Sequence, residues 1–343
     1  MRKRRLGLSA LAVGAAAILG TGSYLAVQRA AGSAVHGATG AHGTPSTPVP
    51  AKSTPVQPRP QPIGQMGDYR VAERWYTFTE HSNAYPGPRV LHVSVRFPVL
   101  TAGRNPDTLT SALFPLVVFA PGYRQCGASY RDLLRQWASA GYVVAAVDFP
   151  LTNCHVVAPD ESDLVHQPAD VAFVIRRLLR LARQPQGPLA GLIDPAKIAV
   201  AGHSDGGDTV AAVAAASCCH DARVRAAIVL AGAEWAPLPG RWFAAPTPPM
   251  LFVQGTDDSW NPPSASVQLY QADTTGIRYY LDLFGADHFT PYEGDGTPEP
   301  IVARVTLDFL DRYVAGQPRM ARAMWRAGHV AGVAELAEAG QMP

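Results

Sequence analysis

A serine set among glycines, a pair of adjacent carboxylates and a histidine follow one another along this chain, and together they could perform nucleophilic chemistry. Ser204 sits in Ala201-Gly202-His203-Ser204-Asp205-Gly206-Gly207, directly after the apolar run Lys197-Ile198-Ala199-Val200. A serine on a sharp turn between a buried strand and a helix projects its hydroxyl clear of the backbone, and flanking glycines tolerate the close approach. That hydroxyl is a poor nucleophile until an imidazole takes its proton, and the imidazole needs a carboxylate to fix its tautomer. Of the ten histidines, only His288 and His329 follow the acidic loop Gly255-Thr256-Asp257-Asp258-Ser259-Trp260-Asn261-Pro262. His329 falls in a C-terminal stretch that reads as helix with a solvated imidazole, so His288, in Gly285-Ala286-Asp287-His288-Phe289, is the candidate base. Either Asp257 or Asp258 can supply the carboxylate. Gly-x-Ser-x-Gly by itself arises by accident in about a tenth of chains this long, so the elements that carry these residues must decide.

Short apolar runs alternate with helical patterns through most of the chain. Leu116 to Ala120, Tyr142 to Phe149, Ile198 to Gly202, Ala227 to Ala231, Met250 to Gln254 and Arg278 to Phe284 are nearly continuous, as strands buried on both faces are. Helices are expected over Tyr130 to Ala140, Pro168 to Arg183, Asp205 to Ser217 and Ser264 to Ala272. In the second of these, Val171, Val174, Ile175, Leu178 and Leu179 share one stripe while Arg176, Arg177, Arg180 and Arg183 face water. Such alternation implies a mostly parallel sheet with helices on both faces, opened by antiparallel strands over Tyr69 to Thr79 and Val90 to Phe97. Reactive groups on such a sheet belong at the carboxyl ends of the strands. Ser204, the Asp257-Asp258 pair and His288 all meet that condition, in the order Ser, Asp, His.

From roughly Val90 to Gly316 the chain resembles the α/β-hydrolase superfamily, and within it the cutinase-like, polyester-hydrolase, dienelactone-hydrolase-like and chlorophyllase-like esterases. The resemblance rests on Phe119-Ala120-Pro121-Gly122-Tyr123, Gly202-His203-Ser204-Asp205-Gly206-Gly207, Asp258-Ser259-Trp260-Asn261-Pro262 and Ala286-Asp287-His288-Phe289. It implies an α/β-hydrolase fold and a Ser204-His288-Asp258 triad, because related polyester hydrolases place a proline four positions after the acid. It also implies an oxyanion hole from the backbone N–H groups of Tyr123 and Asp205. The Tyr123 ring is expected to offer the substrate a flat wall, and Trp235 either a second wall or simple packing. Cutinase-type relatives usually carry Met, Leu or Gln where Asp205 stands. A carboxylate there opposes developing negative charge unless it points away, is paired or caps the following helix.

This topology puts Cys126 and Cys154 above the same sheet edge, where a bridge would brace the oxyanion loop. Cys218 and Cys219 end the helix that follows Ser204, as buried thiols or a local bridge. Contiguous ligands rarely wrap one ion, so no metal is expected at Cys218-Cys219-His220-Asp221. His203 is expected to pack beneath the elbow, and His155 and His166 to be solvated.

The 343 residues, 47% hydrophobic and 16% charged with a net charge of +2, suit one large core and give no reason to invoke nucleic acid. Arg2-Lys3-Arg4-Arg5 and the uncharged stretch to Gln28 read equally as an export signal (residues 1–30) or a retained anchor through residues 6–27. Residues 31–66 read as a Pro-rich linker, 67–316 as the catalytic domain and 317–343 as a helical tail. Only a short stretch, Gly232 to Pro249, separates two strands where a lid would be inserted, so no large lid domain is expected. The whole points to an extracytoplasmic, monomeric serine carboxylester hydrolase acting on lipid-like or polyester-like esters without a cofactor. The alternatives are an acyltransferase on the same triad, a phospholipid-type acetylhydrolase, or a binding protein on the same fold.

Overall fold

The computed structural model describes residues 67, 69–81, 87–99, 113–234, 237–243, 246–294, 296 and 298–339. The chain divides into two units, and the first, Met1–Pro55, lies wholly outside the described residues, as do the expected signal or anchor and the linker.

Among the described residues nine strands form one sheet: β1 (Arg70–Glu80), β2 (Arg89–Val99), β3 (Phe114–Ala120), β4 (Val143–Asp148), β5 (Ile193–His203), β6 (Val224–Leu230), β7 (Met250–Gly255), β8 (Arg278–Leu283) and β9 (Ala334–Glu338). Their order is β1-β2-β4-β3-β5-β6-β7-β8-β9. Pairing from β4 through β8 is parallel, while β1, β2 and β9 join antiparallel. The helices are α1 (Arg131–Ser139), α2 (Gln167–Ala182), α3 (Asp205–Ala215), α4 (Pro263–Ala272), α5 (Thr290–Glu293), α6 (Pro298–Leu310) and α7 (Met320–Ala327). This is the expected α/β-hydrolase-like arrangement, with no lid domain among the described residues.

Period-two alternation along the buried strands divides the core into two layers. Leu116, Val118 and Val200 face α2 and α3, packing on Val171, Val174, Ile175 and Val210, and Phe252 on the same side meets Tyr270 of α4. Val117, Phe119, Ala201 and Ile228 face the opposite side, against Leu133, Leu134 and Trp137 of α1 and Val302, Val305 and Phe309 of α6. Burial on both faces explains why these strands read as unbroken apolar runs.

The tail departs from expectation. The expected helical tail, residues 317–343, is helical only in part: α7 stops at Ala327, and after a turn with Gly332 at φ +70° the chain becomes β9, paired along β8 from Tyr279↔Glu338 to Leu283↔Ala334. The open edge of β8 supplies ladder hydrogen bonds that outweigh the helical propensity of this Ala- and Glu-rich segment.

A buried ion cluster ties the edge region of the sheet to α2. The guanidinium of Arg89, 7% exposed, reaches from β2 to Asp163 at 2.6 Å and to Asp170 at the start of α2 at 2.5 Å. Arg89→Met strands two buried carboxylates and is expected to cost about 3–5 kcal/mol in chemical denaturation.

Cys126 and Cys154 are bonded, and so are the neighbours Cys218 and Cys219, leaving no free thiol among the described residues. Denatured, non-reduced protein is therefore expected to show no thiol reactive to a colorimetric reagent, where unbridged Cys218 and Cys219 would show two. Replacing both Cys126 and Cys154 by serine opens a loop of 28 residues' separation, a loss of about 3–4 kcal/mol by chain entropy.

Candidate active site

The elbow after β5 is built on close backbone approach. A Cβ at Gly206 would lie 1.9 Å from the Ala120 carbonyl oxygen, and one at Gly202 would lie 2.1 Å from that of Gly206. Neither position admits a side chain, so both glycines are required by packing. Between them Ser204 is held at φ 54°, ψ −125°, a region that non-glycine residues enter only under strain. Its N–H donates to the Leu230 carbonyl at 2.9 Å and its carbonyl accepts from Asp208 N–H at 3.1 Å, so strand β6 and the first turn of α3 fix the bend.

The loop after β8 brings His288 to this bend. Its Nε2 lies 2.9 Å from Ser204 Oγ, and its Nδ1 lies 2.7 Å from Asp258 Oδ2 on the loop after β7. The imidazole is nearly enclosed, at 2% exposure, which keeps water from competing for these contacts. Asp258 Oδ1 accepts from the N–H groups of Trp260 and Asn261, each at 2.9 Å, and Oδ2 also accepts from Gln254 Nε2 at 2.8 Å. Burial works against the charge of Asp258, but the bonds from His288, Asn261 and Gln254 outweigh it and hold the carboxyl below its ordinary value. Of the adjacent carboxylates, Asp258 thus faces the imidazole while Asp257 is exposed.

The loop after β3 closes the site from the other side. Tyr123 is half-buried, its hydroxyl donating to the Pro159 carbonyl at 3.0 Å, and Arg124 N–H donates to the Thr152 carbonyl at 2.7 Å. Cys126, bonded to Cys154, and Gly127, donating to Asp148 Oδ1 at 2.9 Å, pin the same loop to the exit of β4.

Asp205 is the first residue of α3, with Ser204 at the N-cap, so the carboxylate does not occupy the cap. Its Oδ2 is buried with no hydrogen-bond partner, and burial first, then the charge of Glu161, pushes its carboxyl up to about 7 against the opposing pull of His288. Asp208, one turn on, is paired instead: its Oδ1 accepts from Ala233 N–H at 2.6 Å.

Among the other expected contacts, Trp235 lies outside the described residues. Trp260, quoted in sequence only as part of the acid loop, is 72% exposed and stacks at an interplanar angle of 21° with its centroid 6.3 Å from that of His288. A large aromatic next to the acid was the available signal for it. His155 is exposed and His166 half-buried, whereas His203 is wholly buried beneath the elbow.

Burial, and then the neighbouring His288, pushes the His203 imidazole down to about 3 from 6.5, over the opposing bond to the His288 carbonyl. The unfolded ring takes up a proton near pH 6.5 that the folded ring refuses until about pH 3, so stability falls as pH drops through this window. Between pH 7.5 and pH 5 the expected loss from this group is about 2 kcal/mol. Denaturant titrations at the two pH values check it. His203→Gln is expected to lose less over the interval by that amount, and an identical loss would exclude a neutral buried ring.

A mostly parallel sheet with a strained serine turn after a central strand, facing a histidine and an acid on the exits of later strands, is the architecture of the α/β-hydrolases. Within that class the chain belongs to the PET hydrolase-like family, whose sequence profile matches residues 104–335. It is similar to a bis(hydroxyethyl) terephthalate hydrolase of Streptomyces coelicolor, 27% identical over 218 residues, which make up 62% of each chain. It is also similar to cutinase 2 of Thermobifida cellulosilytica, 28% identical over 204 residues, 59% of this chain and 70% of that one. A cutinase of Thermobifida fusca is 26% identical over 204 residues, 59% of this chain and 60% of the relative.

Proposed function

We propose that this protein is an exported serine carboxylester hydrolase acting through an acyl-enzyme. The observation that carries the reading is the continuous contact from Ser204 Oγ through the His288 ring to Asp258, at 2.9 and 2.7 Å. Ser204 attacks the ester carbonyl carbon as His288 Nε2 takes its proton. The resulting oxyanion is held by the N–H groups of Tyr123 and Asp205, and collapse expels the alkoxide, which receives the proton from His288. Water then repeats the sequence on the acyl-enzyme and frees the acid. Asp258 keeps the proton of the resting imidazole on Nδ1 and offsets the positive charge that the ring gains.

The substrate class follows from what flanks the serine. In this reading Trp260, exposed beside His288, and Tyr123 offer flat walls to aromatic acyl groups such as the terephthalate in one relative's name. The Asp205 carboxyl disfavours anionic acyl groups, increasingly as pH rises through about 7. Two disulfides and the arginine-rich start of the chain support an extracytoplasmic location.

Hydrolysis of nitrophenyl esters of graded acyl length, and of bis(hydroxyethyl) terephthalate, tests the reading. Turnover with a defined optimum is the expected result, and no turnover of any ester would overturn it. Adding an alcohol acceptor measures partition between hydrolysis and acyl transfer, with the free acid expected to predominate.

A further inference from the structure

Beneath the elbow lies a second set of polar contacts that the ester-cleaving steps do not use. Tyr130, fully buried just before α1, accepts a hydrogen bond at its hydroxyl oxygen from Gly122 N–H at 3.1 Å. The same hydroxyl lies 2.8 Å from His203 Nδ1, and His203 Nε2 lies 2.8 Å from the backbone carbonyl of His288. The protons can be assigned. A carbonyl only accepts, so Nε2 carries hydrogen, and the neutral buried ring then has a bare Nδ1 that accepts from the Tyr130 hydroxyl. Glu293, whose carboxyl burial pushes up, neighbours the same hydroxyl. One direction of donation therefore satisfies every group from Gly122 to His288.

The two ends of this chain distinguish it from an ordinary satisfied core histidine. Gly122 is one peptide from the Tyr123 N–H assigned to the oxyanion, and the other end is the carbonyl of the proposed base itself. The middle, His203, is covalently next to the nucleophile. The links span 73 and 85 residues of sequence, so they join loops that nothing local holds in register. Packing reinforces them: a Cβ on Gly122 would stand 3.1 Å from Ser204 Cβ and 3.4 Å from His203 Nδ1, and the His203 and His288 ring centroids are 4.7 Å apart.

We propose that Tyr130 and His203 are positioning residues of the ester-hydrolase site, a hydrogen-bonded strut under the elbow that keeps the oxyanion loop and the base-bearing loop aligned. The inference rests on the proposed function. Misplacement by a fraction of an ångström, with the binding surface intact, is expected in kcat rather than KM.

The test uses the full chain and nitrophenyl butyrate, with rates normalised to sites titrated by a serine-reactive phosphonate so that misfolded protein does not count. Tyr130→Phe and His203→Leu are expected to lower kcat per titrated site by about 10- to 100-fold with KM within about twofold. The double variant is expected to be no worse than about twofold below the poorer single one, because both remove the same strut. His203→Gln, which restores a donor toward the His288 carbonyl, is expected to recover most of the loss. Wild-type kcat per titrated site in Tyr130→Phe, or losses that multiply in the double variant, would overturn the proposal. An inert wild type, or Ser204→Ala as active as wild type, would instead overturn the ester-hydrolase reading beneath it. Nitrogen NMR of His203 in the unaltered protein gives a check independent of any variant: hydrogen on Nε2 is expected, and hydrogen on Nδ1 would exclude the strut.

Discussion

Ser204→Ala is expected to lower kcat on nitrophenyl esters by about 10⁵- to 10⁶-fold, leaving only what the proposed oxyanion hole and binding contribute over water. The size of the loss follows from what one oxygen atom does. Ser204 Oγ is the group at 2.9 Å from His288 Nε2, and without it the imidazole has no hydroxyl to deprotonate. The elbow also holds Ser204 at φ 54°, so no neighbouring residue can swing into its place. Alanine accepts the same bend at similar cost, and the variant is expected to fold with an unchanged circular dichroism spectrum. A residual rate within tenfold of wild type would mean that another group performs the attack.

Asp258→Asn is the second large effect, about 10⁴-fold in kcat. Both oxygens of Asp258 face donors: His288 Nδ1 and Gln254 Nε2 at Oδ2, and the backbone N–H groups of Trp260 and Asn261 at Oδ1. An asparagine must turn its NH₂ toward one of these pairs. Turned to His288, it drives the proton onto Nε2, the wrong tautomer to accept from Ser204. Turned the other way, it sets a donor against two fixed backbone donors and loosens the loop. Steady-state kinetics and thermal unfolding together separate the two outcomes: the first sets the NH₂ against one side-chain donor, Gln254, and costs mostly rate, whereas the second sets it against two backbone donors and costs more stability. Asp257→Asn, at an exposed position with no contact to the imidazole, is expected to change neither by more than about twofold.

The difference between these neighbouring aspartates shows what was readable in the chain. Order and strand-end position narrowed the acid to two residues, and only the proline four residues on favoured Asp258, through resemblance rather than physics. The parallel strands were legible because burial on both faces leaves no polar alternation, as in Leu116 to Ala120. β9 was not, because Ala334 to Glu338 has helix-forming composition and becomes a strand only through pairing with the β8 edge. Trp260 was visible as an aromatic, but its stacking beside His288 depends on how the acid loop turns. Tyr130 and His203 each looked like core residues. Their contact, 73 residues apart in sequence, belongs to the third dimension and leaves no local pattern.

Covalent trapping shows whether Ser204 is a nucleophile activated by His288. A fluorophosphonate reacts with an activated serine and leaves a stable phosphonyl adduct. Intact-mass and peptide mass spectrometry of treated wild-type protein are expected to show one adduct per chain on the peptide carrying Ser204, with parallel loss of ester hydrolysis. His288→Ala is expected to slow labelling by several orders of magnitude. An unlabelled wild type, or an adduct on a different residue that accounts for the lost activity, would contradict the assignment.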